Sequence, residues 1–263
     1  MRPDSGGVPG LSRPLDAPGT RPESGLLLVA HGSRDPRHRV TISQIAAATR
    51  TARPDLDVRV GYLDHDGPRV PDALASFGTT QVVAVPLLLG HAYHGRVDVP
   101  AALQEGSTRT GVRVDLAAVL GPDPRLLPAA SRAVRIAAGT SPDGDTGLVL
   151  ACAGTTDPNA KAALHRLALR WRRQLGTDVR VADAAATGAR VGETVEALRA
   201  AGCTRVDVAA WFLAPGLLLD RASADALAAG ADSVAAPLGA APEVVATVLR
   251  RFDAVATRAA RVA

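Results

Sequence analysis

The fold is decided by the stretch Leu26–Pro36, which reads LLLVAHGSRDP. A weaker copy lies at Gly147–Pro158 and reads GLVLACAGTTDP. In both copies an apolar run is followed by a short polar loop and then by Asp-Pro, a helix-start signature in which Asp caps the free N–H groups and Pro suits the first turn. The recurrence predicts a duplicated unit. Only the first copy carries a histidine, His31, at the end of its strand.

The composition is typical of a globular protein with few aromatic residues. The 263 residues are 47% apolar and 21% charged, which suffices for a buried core in each half. Aromatic residues make up only 3%, and no long run of like charge occurs, so a nucleic-acid partner is not expected. The net charge of +4 is carried mostly by arginine, since Lys161 is the only lysine. An arginine-rich surface suits an acidic partner, and an ordinary solvated surface explains it equally well.

The sequence predicts a cytoplasmic protein without a membrane span. It contains no stretch of about 18 apolar residues. Residues 1–24 are rich in Pro, Gly and Ser and lack the apolar core of a signal peptide, so we expect a disordered tail. The two cysteines, Cys152 and Cys203, are too few for a disulfide framework and lack the spacing of a metal site.

Beyond residue 25, apolar runs typical of buried parallel strands alternate with helical segments. Strands are predicted at 26–30, 57–63, 81–89 and 112–119, and again at 148–152, 178–184, 204–213 and 233–236. Helices are predicted at 36–52, 68–77, 98–105 and 124–138, and again at 158–175, 191–201, 216–229 and 242–258. Pro86 cannot donate a ladder hydrogen bond, so we expect it near the end or edge of its strand.

This alternation predicts an α/β protein with two tandem, pseudo-symmetric parallel-sheet lobes and an active-site cleft between them. The first lobe is predicted at 25–138, the second at 148–263, and the linker at 139–147, where Ser, Pro, Asp and Gly cluster.

Chemically active residues gather at the strand ends of the first half. His31 follows the first strand, Asp64 the second, and His94 and Arg96 the third. Because ligands bind beyond the carboxyl ends of parallel strands, we expect these side chains to lie at one edge of the sheet. Imidazole and carboxylate groups bind divalent transition metals and move protons near neutral pH. His91 lies close to His94 and is an alternative ligand, whereas three other histidines are expected to be surface or packing residues: His38, His65 and His165.

The corresponding positions of the second half lack this chemistry. Alignment of the two halves places His31 opposite Cys152, Asp64 opposite Ala185 and His94 opposite Leu219. These losses indicate a second lobe that has lost its site and serves as a wall or lid for the first.

Two motifs in the first half carry a resemblance to a known family. The first is HGSRDP at 31–36, and the second is PLLL at 86–89 followed by His94, Asp98, Val99 and Pro100. In these motifs the chain resembles the sirohydrochlorin chelatases, the small class II tetrapyrrole chelatases. The resemblance covers the chain beyond residue 25. It implies ATP-independent insertion of Fe²⁺ or Co²⁺ into sirohydrochlorin, in sirohaem or cobalamin biosynthesis. The sequence agrees with this, because it contains no Walker-type phosphate-binding loop. No cofactor is implied beyond the substrate metal.

The resemblance also implies roles for individual residues. His31 and His94 match the metal-binding histidines of the family, and His31 is expected to be catalytic as well. Asp64 stands where many members carry Glu, so its expected role in proton relay or metal binding relies on a shorter side chain. Ser33, Arg34 and Arg96 are expected to bind the substrate, the arginines by gripping its carboxylates. The second half of the duplicated chain is expected to take the place of a dimer partner, which favours a monomer.

Other classes of function remain open at this point. A carrier that binds metal or tetrapyrrole without turnover would use the same ligands. A histidine phosphatase also places His-Gly after a strand, but it needs Arg immediately before the histidine, where this chain has Ala30. A scaffold would not explain why polar residues persist in one lobe only. The choice between Fe²⁺ and Co²⁺ does not follow from His and Asp ligands, because both ions accept them.

Overall fold

Two parallel four-stranded sheets form the framework of the protein. The structure is a computed structural model that describes residues 25–90 and 97–260. Along the first sheet the strand order is β2-β1-β3-β4, and along the second it is β6-β5-β7-β8. Helices flank both sheets, so the predicted α/β class with two pseudo-symmetric parallel-sheet lobes is confirmed.

The described elements follow the predicted alternation closely. In the first half they are β1 (Gly25–Ala30), α1 (Pro36–Ala52), β2 (Asp57–Tyr62), α2 (Val70–Ala75), β3 (Gln81–Pro86), α3 (Val99–Thr110), β4 (Arg113–Leu116) and α4 (Leu127–Ala138). In the second half they are β5 (Thr146–Cys152), α5 (Pro158–Leu175), β6 (Asp178–Asp183), α6 (Val191–Ala200), β7 (Arg205–Ala210), α7 (Leu217–Ala228), β8 (Ser233–Val234) and α8 (Pro242–Ala260). A short 3-10 helix (Pro124–Leu126) precedes α4.

Local sequence explains where these elements begin and end. The side chain of Asp35 accepts a hydrogen bond from the backbone N–H of Arg37 at the start of α1, and Asp157 caps α5 in the same way. Pro86 is the last residue of β3, where a missing ladder donor costs little. β5 begins at Thr146, inside the segment predicted as linker.

The backbone register keeps Asp64 opposite Ala185, as predicted, but moves the residue that matches His31 by one position. The N–H of Asp64 donates to the carbonyl of His31 (2.8 Å), and the N–H of Ala185 donates to the carbonyl of Ala153 (3.1 Å). His31 therefore corresponds to Ala153, and the predicted match with Cys152 is wrong. Asp-Pro at the head of α1 and α5 gives the same offset, since it places His31 and Ala153 at equal distances from the cap.

The last helix of each half packs on the sheet of the other half. α4 lies against β7 and β8, whereas α8 lies against β3 and α1. Arg251 of α8 donates to the carbonyl of Val119 (3.0 Å) and to the carboxylate of Asp123 (3.1 Å), both in the first half. One buried apolar cluster consequently includes side chains from both sheets. The two sequence repeats are thus interlocked. Each half builds one apolar cluster from its own residues alone, whereas this third cluster is shared by both halves.

Within residues 25–90 and 97–260, no helix combines the length and the apolar character needed to cross a membrane.

Candidate functional site

A cleft of about 310 Å³ lies between the two lobes, where the strands of both sheets have their carboxyl ends. Its described lining is mostly apolar. It comes from the end of β5, from the loops after β1, β3, β5 and β7, from the first turn of α1 and from the first two turns of α5. The lining residues are His31, His38, residues 87–90, residues 152–155, Ala160, Leu164 and residues 211–214. A largely apolar cleft with a few polar groups is typical of a small-molecule site.

The cleft follows the internal symmetry of the chain. The N–H of Leu87 donates to the carbonyl of Val29, and the N–H of Trp211 donates to the carbonyl of Ala151 in the equivalent place. Residues 87–90 of one lobe and residues 211–214 of the other therefore occupy equivalent places in the lining of the cleft. The walls match in position but differ in chemistry, because the histidines belong to the first lobe.

His31 lies at the end of β1 and is half-buried in the wall of the cleft. Its Nδ1 is 3.1 Å from the carbonyl oxygen of Gly32, and its ring centroid is 6.5 Å from that of His65. The contact with the carbonyl favours a proton on Nδ1, and Nε2 then carries the lone pair that can bind a metal.

Gly32 brings the loops after β1 and β2 together. Its φ of +91° lies in the left-handed region, and a Cβ at this position would be 1.7 Å from the carbonyl oxygen of Asp64. Only glycine allows this approach. The second lobe repeats the conformation at Gly154, with a φ of +96°.

Asp64 is exposed and is not among the described residues that line the cleft. Its Oδ1 accepts the backbone N–H of His65 (2.8 Å) and pairs with Arg69 (3.0 Å). These two contacts, in that order, lower the pKa of Asp64 below its ordinary value. The carboxylate is therefore a weak proton acceptor in this conformation.

Ser33 forms hydrogen bonds within its loop, whereas Arg34 has no partner among the described residues. The hydroxyl of Ser33 accepts the backbone N–H of Asp35 (3.1 Å), and its own N–H donates to Asp66 (3.0 Å), so Ser33 stabilises the loop. Arg34 is exposed and makes no hydrogen bond or ion pair with any residue in the described part of the chain. Its guanidinium is available to an anionic ligand.

The predicted residues His94 and Arg96, together with the alternative His91, lie outside the described residues. Among the residues that are described, no three His, Cys, Asp or Glu side chains converge closely enough to hold a metal ion. The described residues thus supply His31 to a metal site but not a complete ligand set.

His38 was expected to be a surface or packing residue, and the structure places it in the wall of the cleft. Its Nδ1 is buried and has no hydrogen-bond partner in the described part of the chain. Burial lowers the pKa of His38, and the nearby carboxylates of Asp66 and Asp35 only partly oppose this effect. The signal that could have revealed His38 was the alignment of the two Asp-Pro motifs, which places it opposite Ala160.

The second lobe contains a closed polar network beside the cleft. The thiol of Cys152 donates to Oδ1 of Asp183 (3.2 Å), whose Oδ2 accepts the hydroxyl of Thr187 (2.8 Å). Lys161 then donates to the carbonyl of Thr187 (2.6 Å). Burial and the charge of Asp183 raise the pKa of the Cys152 thiol to about 12. Each of these groups has a partner, so the network stabilises this wall and offers little binding capacity.

One ion-pair chain joins the lobes near the head of α1. Arg37 forms paired hydrogen bonds with Asp35 and also contacts Asp220 of α7 in the second lobe. Hydrogen bonds to both carboxylates raise the pKa of Arg37. The lobes are therefore linked by charge as well as by the apolar core.

Solved structures share this fold over nearly the whole chain. The sirohydrochlorin chelatase SirB from Bacillus subtilis subspecies spizizenii, solved in complex with cobalt, matches with a TM-score of 0.74 and 18% identity, covering 89% of this chain and 96% of SirB. SirB from Bacillus subtilis with Fe³⁺ matches with a TM-score of 0.78 and 19% identity, covering 90% and 97%.

Sequence relatives point to the same group. The sirohydrochlorin cobaltochelatase of Methanococcoides burtonii is 36% identical over 83 residues, which are 30% of this chain and 63% of the relative. That of Priestia megaterium is 26% identical over 209 residues, 74% of this chain and 66% of the relative. The matches thus span slightly less than two thirds of these two relatives.

The profile of the CbiX family matches residues 25–137 and again residues 147–255. Both repeats are therefore recognised as copies of the same unit. The chain belongs to the CbiX family, which confirms the resemblance to the sirohydrochlorin chelatases drawn from its sequence motifs.

Proposed function

We propose that this chain inserts Co²⁺ or Fe²⁺ into sirohydrochlorin without ATP. The observation that carries the proposal is the position of His31, at the end of β1 and in the wall of an apolar cleft between two lobes. Membership of the CbiX family and the relatives named sirohydrochlorin cobaltochelatase support the same reaction.

Metal insertion requires three events, and the residues of the cleft can assist them. The metal must lose its bound water, two pyrrole N–H protons must leave, and the ring must bend so that its nitrogens reach the metal. The apolar walls formed by residues 87–89 and 211–213 exclude water and contact the faces of a planar ring. A neutral imidazole at His31 binds a metal weakly enough to release it and can also accept a proton.

Individual roles form part of the proposal. His31 holds the metal together with His94, and Asp64 assists proton relay from outside the apolar wall. Arg34 and Arg96 grip carboxylates of the acidic macrocycle, and Ser33 shapes the loop that carries Arg34. The guanidinium of Arg34, which has no partner among residues 25–90 and 97–260, supports this assignment, because a carboxylate accepts two parallel N–H bonds from such a group.

We further propose that the protein acts as a monomer in the cytoplasm, with no cofactor beyond the substrate metal. Both walls of the cleft come from one chain, which supports the monomer. Both described cysteines are free, as is usual in a reducing compartment. Sedimentation of the purified chain tests the oligomeric state.

The decisive experiment is anaerobic insertion of Co²⁺ or Fe²⁺ into sirohydrochlorin, followed by absorbance of the ring. His31→Ala is compared with His165→Ala, which changes an exposed histidine on α5 outside the cleft. We expect acceleration by the wild type and by His165→Ala, and its loss in His31→Ala. Tight, stoichiometric binding of the macrocycle by the wild type without acceleration would contradict the proposal and indicate a carrier.

A further inference from the structure

His38, like His31, corresponds to an alanine in the second half of the chain. The Asp-Pro motifs align His31 with Ala153 and His38 with Ala160. All four residues line the cleft. Among the described residues, the first lobe thus presents two imidazoles to the cleft, and the second lobe presents a methyl group at each matching place. Ala160 also shows that the first turn of such a helix folds without an imidazole.

The surroundings of His38 determine which ring nitrogen carries the proton. Nδ1 is buried and has no hydrogen-bond partner among the described residues, whereas the side chain as a whole is half-buried and lines the cleft. A buried lone pair without a partner costs less than a buried N–H without one. The proton is therefore better placed on Nε2, the other nitrogen of a ring that lines the cleft.

The position of His38 on its helix keeps the ring neutral. His38 lies in the first turn of α1, where the helix dipole disfavours a positive charge. Protonation would also put an N–H group on Nδ1, which is buried and has no partner among the described residues. The ring is thus a neutral donor at the positive end of a helix, which suits a negatively charged acceptor.

We propose that His38 is a substrate-binding residue whose Nε2–H donates a hydrogen bond to a carboxylate of the tetrapyrrole. The proposal deepens the function proposed above and rests on it. It separates the two imidazoles by role: His31 uses a lone pair on Nε2 to bind metal, whereas His38 uses an N–H on Nε2 to orient the ring. The opposite tautomer would make His38 a metal ligand, which is the rival outcome of the test.

The first test determines the tautomer without any activity measurement. Long-range ¹H–¹⁵N spectra of the full chain labelled at histidine nitrogen identify the protonated nitrogen of each ring, and His38→Ala assigns the His38 signals. We expect a proton on Nε2 that persists on addition of Zn²⁺. A proton on Nδ1, or loss of the Nε2 proton on addition of Zn²⁺, would overturn the proposal.

The second test measures binding of metal-free sirohydrochlorin and of its methyl ester, which lacks the carboxylates. We expect His38→Ala to weaken binding of the free acid about tenfold, as for loss of a hydrogen bond to a charged group, and to leave the ester unaffected. His38→Gln, which keeps a side-chain N–H, should recover most of the loss, and Co²⁺ affinity should stay at the wild-type value.

The outcomes separate this inference from the proposed function. If the wild type accelerates insertion while His38→Ala binds both macrocycles as the wild type does, the inference is wrong and the proposed function stands. If the wild type neither binds nor metallates the macrocycle, the proposed function itself fails.

Discussion

Arg132 on α4 and Glu243 on α8 are joined by two hydrogen bonds, with nitrogen–oxygen distances of 2.8 and 2.7 Å. Each of these helices covers the sheet of the opposite repeat, so the pair connects the two exchanged elements directly. Arg132 lowers the pKa of Glu243 through these bonds. The contact therefore stabilises the interlocked arrangement in a way that depends on pH.

We expect a double-mutant cycle with Arg132→Met and Glu243→Gln to give a coupling of about 1 kcal/mol at pH 7, because Arg132 is 38% exposed and solvent screens the charges. The folded-state pKa of Glu243 is lowered, so this contribution is complete above its unfolded pKa of about 4.3 and is lost as the pH falls through the folded value. Urea unfolding at several pH values measures it.

The ion pair of Arg53 with Asp253 of α8 provides the control for this cycle. It also joins α8 to the first half, at 3.1 Å, but Asp253 is 56% exposed. We expect its coupling to be close to zero. Equal coupling energies for the two ion pairs would contradict the expectation that two parallel hydrogen bonds and partial burial strengthen the Arg132–Glu243 pair.

Gly32→Ala should destabilise the protein severely. The new Cβ would overlap the carbonyl oxygen of Asp64 and would also require a left-handed backbone. We expect the free energy of unfolding to fall by more than about 4 kcal/mol. Gly111→Ala is the matched control, since Gly111 has a φ of +72° but no atom within 4 Å of the new Cβ.

For Gly111→Ala we expect a loss of only about 1–2 kcal/mol, from backbone strain alone. Chemical denaturation of both variants measures the difference. If Gly32→Ala lost no more than Gly111→Ala, the close approach of the two loops would not be a requirement of the fold.

The two cysteines should react at very different rates with an alkylating reagent. The pKa of Cys152 is raised to about 12, which leaves roughly one thiolate in ten thousand at pH 8. Cys203 is partly exposed. We expect iodoacetamide to label Cys203 alone in the native protein and both residues after unfolding, as located by peptide mass spectrometry. Native Cys203→Ser should then stay unlabelled, and rapid labelling of Cys152 would show that the Cys152–Asp183 contact does not persist.

Asp64 should not determine the pH profile of metal insertion. Its pKa is lowered by the N–H of His65 and by Arg69, so this carboxyl loses its proton at a lower pH than an ordinary aspartate does. We expect Asp64→Asn to change the rate at every pH by a similar factor and to leave the midpoints of the profile in place. A shifted acidic midpoint in Asp64→Asn would show that the resting pKa of this carboxyl governs the profile, contrary to the effect of its two contacts.

Most of the fold could be predicted because the relevant physics is local. Apolar runs such as that of β1 are buried on both faces in a parallel sheet, and Asp35 and Asp157 cap the helices that they precede. The helix exchange could not be predicted in this way. The apolar faces of α4 and α8 would cover either sheet, and the choice depends on contacts between residues far apart in the sequence.

The candidate site was predicted less completely for two reasons. Pairing His31 with Cys152 is wrong by one residue, and this shift hides the matching pair of His38 and Ala160. The sequence also does not show that Arg69 forms an ion pair with Asp64, because this contact depends on the path of the loop between β2 and α2. The assignments of His94 and Arg96 stay predictions.

Because α4 and α8 each pack on the sheet of the other half, the protein cannot complete its fold early in synthesis on the ribosome. The first sheet, which carries His31, is made early, but α8 covers it only after the entire second sheet has been synthesised. During that interval the apolar side chains that α8 will cover have no native partner, and such surfaces attract aggregation or chaperones. The sheet that carries His31 is therefore made first but completed only when α8 has been synthesised. A truncated or stalled product would contain the histidine motif in a sheet with one face incompletely covered.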